Sequence, residues 1–354
     1  MKYFQTYKLL SFTYIMYSIG IIGATGLVGM EIILLLYKRK FPINELRLYI
    51  SEKSFLKKKF IYNDIYGNLP LEIFDFDIAK KHKIIFMAAN NEFSKEWSKK
   101  LSNEGVIIID NSSQFRYEPD MPLVIPEINM HIVQNHKLIS NPNCTTAIIL
   151  MALYPIHKKY KLKRVIISTY QSASGAGLSG LEELQLGMKN IVNNEQVINN
   201  TFIHPLPYNI IPHIDSFTDN LYTKEEMKVN LEIKKILNEN DILISCTAVR
   251  IPVLRSHSAS ITIETENKIN ANDVRELLEK SVGVTIVDNP SKNIYPMPLT
   301  STNKYDVEVG RIRENNVFGN YGLDLFVSGD QLLRGAALNA IIIAEEIIKR
   351  VNYL

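Results

Sequence analysis

The chain has 354 residues, which is enough for about two domains with a sizeable core. Its 46% hydrophobic and 22% charged residues are typical of a globular protein, and a formal net charge of +3 gives no reason to expect a nucleic-acid partner. Two cysteines cannot form a disulfide framework, and no spacing of Cys and His predicts a metal site, so we expect free thiols in a reducing compartment.

An uncharged stretch near the N-terminus, from Leu9 to Met30, is long enough to span a bilayer. Four glycines interrupt it, however, at a spacing that a tight turn explains better. No small-residue cleavage site follows, so a signal peptide is also a poor fit. We therefore predict a soluble protein with no membrane partner, and we interpret residues 1–15 as an extension that precedes a second methionine, Met16.

A glycine turn follows the apolar run from Ile19 to Ile22. The motif "GATGLVG" leads into "MEIILLLYKRK", which is apolar and then basic, as expected for a strand, a turn and a helix. In this context the glycines let backbone N–H groups approach a pyrophosphate at the helix N-terminus; a turn without a ligand is the alternative. The predicted cofactor-binding residues of the turn are Gly23, Thr25, Gly26, Leu27 and Val28.

Strand-like runs alternate with helical stretches along the first half of the chain, which predicts a parallel, doubly wound sheet. These runs lie at 45–50, 83–89 and 106–110. Later runs, at 164–170, 242–254 and 258–266, are longer and indicate a broader, mixed sheet. We predict an α/β protein: a Rossmann-like dinucleotide-binding domain of residues 16–140 with 330–354, whose last helix packs back on it, and an α+β second domain of residues 141–329.

The segment after the strand at 45–50 decides between the two nicotinamide cofactors. An acidic residue there usually holds a ribose hydroxyl, whereas a cation with small hydroxyls suits the 2′-phosphate of NADP. The chain reads Ser-Glu-Lys-Ser from position 51, so Lys53 and Ser54 favour NADP and Glu52 keeps NAD as the alternative. The lysine run at 57–59 is interpreted as a solvated loop.

One of the two cysteines stands in "SNPNCTTAIILMAL", at residues 140–153. The residues at 141–143 form turns readily, and the apolar run that follows predicts a buried helix. Cys144 would then lie at the helix N-terminus, where free N–H groups and the helix dipole stabilise a thiolate. The alternative is a small buried apolar residue with no chemistry.

A nucleophilic cysteine needs a partner that exchanges protons and a site that binds the electrophile, and "STYQSASGAG" at 168–177 is one of the segments with candidate residues. Gln171 can reach a substrate, and Ser174 and Gly175 can allow the close approach of a nicotinamide ring. Without the other motifs, a flexible loop with an incidental glutamine is the better interpretation.

Two further candidates lie in "VRIPVLRSHSASITIE". Arg250 suits bidentate carboxylate binding. His257 shares the apolar face of its strand with Ala259 and Ile261, where a histidine is more often a satisfied core residue than a catalyst. A straight strand would aim the two side chains at opposite faces, so their convergence requires a bend near Pro252 or Ser256.

Phosphate binding has candidates in two segments. Arg116 lies in "DNSSQFRYEPDMPLVIPEIN" (110–129), after a strand and at the edge where open sheets bind ligands; the alternative is a surface arginine paired with Glu118 or Asp120. Glu225 and Lys228 are three residues apart in "TKEEMK", hence on one helix face, and a surface ion pair is the alternative.

Taken together, the six motifs "GATGLVG", "DNSSQFRYEPDMPLVIPEIN", "NPNCTT", "STYQSASGAG", "YTKEEMK" and "RIPVLRSHS" resemble, in order, those of the aspartate-β-semialdehyde dehydrogenase family. The resemblance covers nearly the whole chain from Ser18 onward. It implies a cytoplasmic enzyme that reduces 4-phospho-L-aspartate to the semialdehyde with NADPH and releases inorganic phosphate, in the biosynthesis of lysine (through diaminopimelate), threonine and methionine.

The resemblance also implies roles for single residues. Cys144 would form an acyl-thioester, Gln171 would orient the substrate and His257 would be the acid/base. Arg250 and Glu225 would bind the substrate carboxylate and amino group. Arg116 and Lys228 would bind the phosphate, and the glycine turn would contact NADP together with Lys53, Ser54, Ser174 and Gly175. The second domain would be catalytic and would pair the subunits of a homodimer or homotetramer.

Three departures from the family pattern are evident. Lys53 stands where the family usually has arginine, and the extension before Met16 has no counterpart in the family. The C-terminal segment reads "DQLLRGAA" from Asp330, so that Gln331 replaces an asparagine at the nicotinamide end, and the resemblance implies that Gln331 contacts the cofactor there. Two rival functions are a related acyl-phosphate reductase, such as one acting on N-acetylglutamyl phosphate, and a non-catalytic dinucleotide-binding paralogue. The intact set of polar site residues argues against the paralogue.

Overall fold

A computed structural model describes residues 15–56, 60–63 and 67–351. The side chain of Lys53, the lysine run at 57–59 and the extension before residue 15 lie outside the described part of the chain, so the expectations for them stay predictions. The division into domains at residues 141 and 330 also stays a prediction.

The first sheet contains seven strands within the described residues. They are β1 (Tyr17–Ile22), β2 (Ile43–Ile50), β3 (Phe60–Asn63), β4 (Gly67–Ile73), β5 (Ile84–Met87), β6 (Ile107–Asp110) and β7 (Leu138–Ser140). Their spatial order is β3-β4-β2-β1-β5-β6-β7, and all neighbours run parallel except β3 and β4. The predicted doubly wound sheet is therefore confirmed, with one antiparallel edge strand.

Helices cover both faces of this sheet. In chain order they are α1 (Leu27–Lys38), α2 (Glu52–Phe55), α3 (Phe76–Ala79), α4 (Asn91–Asn103) and α5 (Pro126–Asn129). All four residues of β5 are buried, and they alternate between two cores: Ile84 and Phe86 pack on one face, Ile85 and Met87 on the other. This burial on both sides explains why the central strands are continuous apolar runs rather than alternating ones.

The second sheet is mixed, as predicted. Its strands within the described residues are β8 (Leu162–Gln171), β9 (Leu243–Arg250), β10 (His257–Thr265), β11 (Val284–Ile286), β12 (Val307–Asn315) and β13 (Gly319–Gly329), in the order β11-β12-β13-β10-β8-β9. The helices of this half are α6 (Cys144–Tyr160), α7 (Gly177–Val192), α8 (Lys224–Leu237), α9 (Ala271–Glu279) and α10 (Pro298–Ser301). The helix α6 is buried throughout residues 145–153 and forms the core against β10 and β13.

The C-terminal segment returns to the first sheet. A π-helical turn (Leu333–Ala337) leads into α11 (Leu338–Val351), whose apolar side chains share a core with those of α1. This contact is the one expected from the amphipathic pattern of the segment. None of the helices in the described ranges combines the length and the apolar character that a membrane span requires.

One prediction needs correction. The run predicted at 242–254 is too long, because its strand, β9, ends at Arg250 and the residues from 251 to 256 form a loop before β10 begins at His257. The intervening loop contains Pro252 and Ser256, and the latter has a φ of +73°. The expected bend between Arg250 and His257 is therefore a complete reversal between two antiparallel-running segments of one sheet, which places both residues at the same sheet end, next to β8.

Candidate active site

The predicted site residues converge on a cavity of about 560 Å³ between the carboxyl edge of the first sheet and the second sheet. The cavity wall includes Gly26, Leu27, Val28, Arg116, Cys144, Gln171, Ser174, Gly175, Glu225, Lys228, Arg250 and Gln331. Open parallel sheets bind ligands at this edge. One predicted catalytic residue, His257, lies outside the wall.

Cys144 is the first residue of α6, as predicted, and is half-buried. The side chain of Asn143 caps the helix by accepting the N–H groups of Thr145 and Thr146 at 2.9 and 3.2 Å. Gly335 packs so closely that a Cβ atom there would lie 2.7 Å from the Cβ atom of Cys144. The start of the helix is thus fixed by the cap, and the backbone of Gly335 packs against the Cβ atom of Cys144.

The expectation of a stabilised thiolate is wrong for this pocket. Burial and the nearby Glu225 carboxylate raise the pKa of Cys144 to about 11, and Arg116 offsets these effects only in part. The helix N-terminus predicted from the sequence is present, and burial of the sulfur acts in the opposite direction. With this raised pKa the sulfur carries its proton at neutral pH.

Arg250 is the buried cation of the site. Only 6% of its surface is exposed, and one Nη1–H donates to the carbonyl of Ser172 at 2.6 Å. Its guanidinium also lies 5.8 Å from the centre of the Phe202 ring. The ion pairs among the described residues include none to Arg250, and burial lowers its pKa. A buried charge without a partner is costly, so this geometry favours an anionic ligand.

His257 is buried behind the pocket wall. Its Nδ1 accepts the backbone N–H of Ser172 at 3.1 Å, which places the proton of the neutral ring on Nε2. Nε2 has no hydrogen-bond partner among the described residues. A Cβ atom on Gly175, which lines the cavity, would lie 3.0 Å from this nitrogen, so the imidazole lies close to the cavity wall and the glycine leaves room for it. Burial and the adjacent Arg250 lower the pKa of His257 to about 3.

The two predicted phosphate-binding cations both have carboxylate partners. Arg116 is buried, and its Nη1 pairs with Glu232 at 3.0 Å, not with Glu118 or Asp120 as the alternative interpretation had it. Lys228 is also more than a surface residue, because its Nζ contacts Asp215 at 2.7 Å and Glu225 at 3.3 Å on the cavity wall. The position of each cation is therefore fixed by an ion pair with an acidic side chain.

Glu225 is the central acceptor of the wall. Its Oε1 accepts the side-chain amides of Asn143 at 2.9 Å and Gln171 at 3.3 Å. Its Oε2 accepts Lys228. Glu225 is 6% exposed. Its carboxylate links Asn143, which precedes Cys144, to Gln171, the residue predicted to orient the substrate.

The glycine turn has the shape that a dinucleotide requires. Gly23 has a φ of +83°, and a Cβ atom there would lie 2.3 Å from the carbonyl oxygen of Ala88. Gly26, by contrast, has only one atom as near as 3.4 Å and faces the cavity. It is the N-cap of α1, and no side chain caps the first N–H groups of that helix. These free donors at a helix start suit a pyrophosphate.

A second, smaller cavity of about 200 Å³ continues beyond the turn. The predicted residues Gly23, Thr25 and Ser54 line it, together with Phe74 and Phe93, which the sequence did not indicate. Ser51 caps α2 by accepting the N–H of Ser54. Residues of the glycine turn line both cavities: Gly26, Leu27 and Val28 the larger one, Gly23 and Thr25 the smaller one.

Gln331 is fixed at both ends of its amide. Its Oε1 accepts the N–H of Ser256 at 2.6 Å, and its Nε2 donates to Ser174 at 2.6 Å. Ser174 in turn donates to the carbonyl of Leu254. Gln331 therefore fixes the end of the loop that precedes His257. The predicted contact between Gln331 and the cofactor stays a prediction.

Several residues of the site were not predicted. Asn143 could have been found, since an asparagine before a helical run is a typical N-cap. Glu232 lies four residues after Lys228, on the same helix face, which was also a usable signal. Ser172 and Asp215 gave none, because their roles arise from contacts between segments far apart in the chain.

Comparisons with known proteins agree with this arrangement. Residues 18–136 match the family described as semialdehyde dehydrogenase, NAD binding domain, and residues 153–334 match semialdehyde dehydrogenase, dimerisation domain. An aspartate-semialdehyde dehydrogenase of Aquifex aeolicus is 41% identical over 94% of this chain and 98% of its own length. One from Synechocystis sp. is 40% identical over 94% and 97% of the two chains.

Solved structures give the same result. The crystal structure of aspartate semialdehyde dehydrogenase II from Vibrio cholerae in complex with ASA is similar with a TM-score of 0.89, at 35% identity over 95% of this chain and 99% of that one. An aspartate semialdehyde dehydrogenase with NADP from Candida albicans shares the fold, with a TM-score of 0.73 at 22% identity over 96% and 100% of the two chains.

Proposed function

The chain belongs to the aspartate-semialdehyde dehydrogenase family, and we propose that its pocket converts 4-phospho-L-aspartate to L-aspartate 4-semialdehyde through a thioester on Cys144. The reaction is reversible, consumes NADPH and releases inorganic phosphate. It serves the synthesis of lysine, threonine and methionine.

The observation that carries the proposal is the buried Arg250, which has no ion pair with another described residue and lies on the same cavity wall as Cys144. A guanidinium there binds the α-carboxylate of the substrate with two parallel hydrogen bonds. Glu225 then receives the α-amino group, while Arg116 and Lys228 lie on the wall to receive the phosphate. The charges of the wall thus complement the two anionic groups and the ammonium group of phosphoaspartate.

The first step is acyl transfer to sulfur. Cys144 carries its proton in the resting pocket, so the thiol must lose it as the sulfur attacks the acyl carbon. The C–O bond to phosphate breaks, and the thiol proton leaves with the phosphate as hydrogen phosphate. Arg116 and Lys228 stabilise the charge on the departing group.

The second step reduces the thioester. NADPH held at the glycine turn would supply a hydride to the thioester carbon. His257 is neutral and carries its proton on Nε2, because Nδ1 accepts the N–H of Ser172, so it stabilises the oxyanion that forms by donating a hydrogen bond from Nε2–H. The carbonyl of the semialdehyde forms from this oxyanion as the C–S bond breaks, and Cys144 departs as a thiolate, which takes up a proton from water.

We propose NADP rather than NAD as the preferred cofactor. The match to an NAD-binding domain family establishes a nicotinamide dinucleotide. The finer choice is supported by Ser51 and Ser54, whose hydroxyls line the smaller cavity, and by Lys53 between them in the chain. Hydroxyls and a cation are the groups that accommodate a 2′-phosphate.

We also propose that two copies pair through the second sheet. Residues 153–334 match a dimerisation domain, and alternate residues of β8 and β9 are exposed on one face of the second sheet. On that face Ile166 is 49% exposed and Leu243 is 58% exposed. Sedimentation of the wild-type chain and of Ile166→Asp should show a dimer that the charge weakens; unchanged sedimentation would argue against this face.

The function is tested by a phosphate-dependent oxidation assay with L-aspartate 4-semialdehyde, run with NADP and with NAD. We expect continuous formation of reduced cofactor only when phosphate is present, with no more than one equivalent per site in its absence, and faster turnover with NADP. N-acetylglutamate 5-semialdehyde serves as the control substrate, since its blocked amine cannot pair with Glu225. Turnover of the control substrate in preference to the aspartyl one would refute the proposed substrate.

A further inference from the structure

One face of α8 carries three charged residues toward the site. Glu225, Lys228 and Glu232 are spaced three and four residues apart, so they follow one another along the helix. The first two line the cavity. Glu232 does not line it and is 0% exposed, so it touches no substrate. A fully buried carboxylate one turn behind the pocket needs an explanation.

The contacts of Glu232 join two distant parts of the site. Its Oε1 accepts Nη1 of Arg116 at 3.0 Å and the hydroxyl of Tyr117 at 3.3 Å. Its Oε2 accepts the backbone N–H of Asn143 at 2.6 Å. Arg116 is further fixed by a hydrogen bond from Nη2 to the carbonyl of Asn111. Asn143 is the cap of α6 and directly precedes Cys144.

We infer that Glu232 is a positioning residue that aligns the phosphate-binding guanidinium of Arg116 with the peptide before the nucleophile, an inference that rests on the proposed function. One oxygen faces the cation and the other faces the N–H group, so a shift of either partner costs a charge-assisted hydrogen bond. The sulfur and the leaving phosphate oxygen are bonded to the same acyl carbon in the tetrahedral intermediate, which requires a fixed distance between their binding groups.

The carboxylate has a second consequence for Arg116. A buried guanidinium without a partner would be destabilised, whereas the pair with Glu232 keeps it in place before phosphate arrives. When Glu232 loses its charge, we expect Arg116 to turn away from its present position. Phosphate affinity should then fall, although Glu232 itself is outside the cavity.

The test compares Glu232→Gln with Glu226→Gln. Glu226 is a matched control: it is on the same helix, is 7% exposed and accepts the N–H groups of Thr223 and Ala248 at 2.6 and 2.9 Å, but it does not line the cavity. Three quantities are measured for each protein: the KM for phosphate in semialdehyde oxidation, the Kd for NADP, and the phosphate concentration that half-protects Cys144 from iodoacetamide.

For Glu232→Gln we expect the KM for phosphate and the half-protecting concentration to rise about 10- to 100-fold, the effect of losing a hydrogen bond to a charged group. The Kd for NADP should stay unchanged. Glu226→Gln should leave all three quantities within about twofold, even if its melting temperature falls. Glu232→Asp retains the charge but is one methylene shorter, so it should give an intermediate value, and it replaces Glu232→Gln if that variant does not fold.

Phosphate values within about twofold of wild type in the Glu232 variant, or an equal change in the Glu226 variant, would overturn the inference and leave Glu232 a structural residue. Failure of the proposed function is seen separately, as an absence of phosphate-dependent oxidation by the wild-type protein. The alkylation measurement requires no turnover, so it reports on Glu232 in either case.

Discussion

The two walls of the pocket are built in different ways. The wall that fits the dinucleotide is one continuous turn at residues 23–29, and its backbone supplies the shape and the N–H donors. The opposite wall gathers side chains from segments as far apart as Arg116 and Gln331. A wall made of backbone is sensitive to added side-chain volume, whereas a wall made of side chains is sensitive to their charge and length. Substitutions on the two walls should therefore have different effects.

The largest effect is expected at Arg250, on the side-chain wall. Arg250→Lys keeps the charge but loses the planar fork that binds a carboxylate bidentately, so kcat/KM for the semialdehyde should fall about 10²- to 10³-fold. The Kd for NADP, measured by fluorescence titration, should not change. A kcat/KM near that of the wild type would mean that Arg250 does not hold the substrate carboxylate.

The backbone wall is tested by a pair of glycine substitutions. Gly23→Ala places a Cβ atom against the carbonyl of Ala88 in a backbone with positive φ, so the melting temperature should fall. Gly26→Ala meets no such contact, so stability should be retained while NADP affinity falls about tenfold, because the methyl group faces the pyrophosphate site. Equal NADP affinity in Gly26→Ala and wild type would place the dinucleotide elsewhere.

Glu225→Gln should change the reactivity of the thiol. Burial is the main reason that the pKa of Cys144 is raised to about 11, and the Glu225 carboxylate is the second. Removing this charge should shift the pH profile of Cys144 alkylation by iodoacetamide toward lower pH, because the thiolate is no longer repelled. An identical profile in both proteins would show that Glu225 has no electrostatic effect on the sulfur.

A smaller effect is expected for the stability of the protein at acidic pH. Burial and Arg250 lower the pKa of His257 from 6.5 to about 3, so the unfolded chain binds this proton first. The stability that His257 contributes is fully present above pH 6.5 and is lost as the pH falls toward 3. His257→Asn should therefore show a shallower decline of melting temperature between pH 7 and pH 4.5. Parallel curves would contradict the shifted pKa.

The features that the sequence predicted correctly are those that depend on residues close together in the chain. The turn at residues 23–29, the helix start at Cys144 and the shared face of Glu225 and Lys228 each depend on neighbours in the chain, and the structure has all three. The alternation of apolar runs was sufficient for the doubly wound sheet, since both faces of its central strands are covered.

Other features depend on tertiary contacts and were missed or mistaken. The pKa of Cys144 is raised by burial and by Glu225, which lies 81 positions further along the chain. The stabilised thiolate predicted from the helix start alone was therefore wrong. The partner of Arg116 is Glu232 rather than a neighbour in the loop. The position of His257 behind Gly175 follows from the packing of two separate loops, which no local pattern records.

The central claim is that Cys144 forms the acyl-enzyme, and it is tested by trapping that species. The protein is incubated with L-aspartate 4-semialdehyde and NADP without phosphate, and the peptides are mapped by mass spectrometry. We predict an aspartyl adduct on Cys144 that phosphate discharges, with none on the buried Cys246, which serves as the internal control. An adduct that persists in Cys144→Ala, or turnover of the wild-type protein without any adduct on Cys144, would contradict the account.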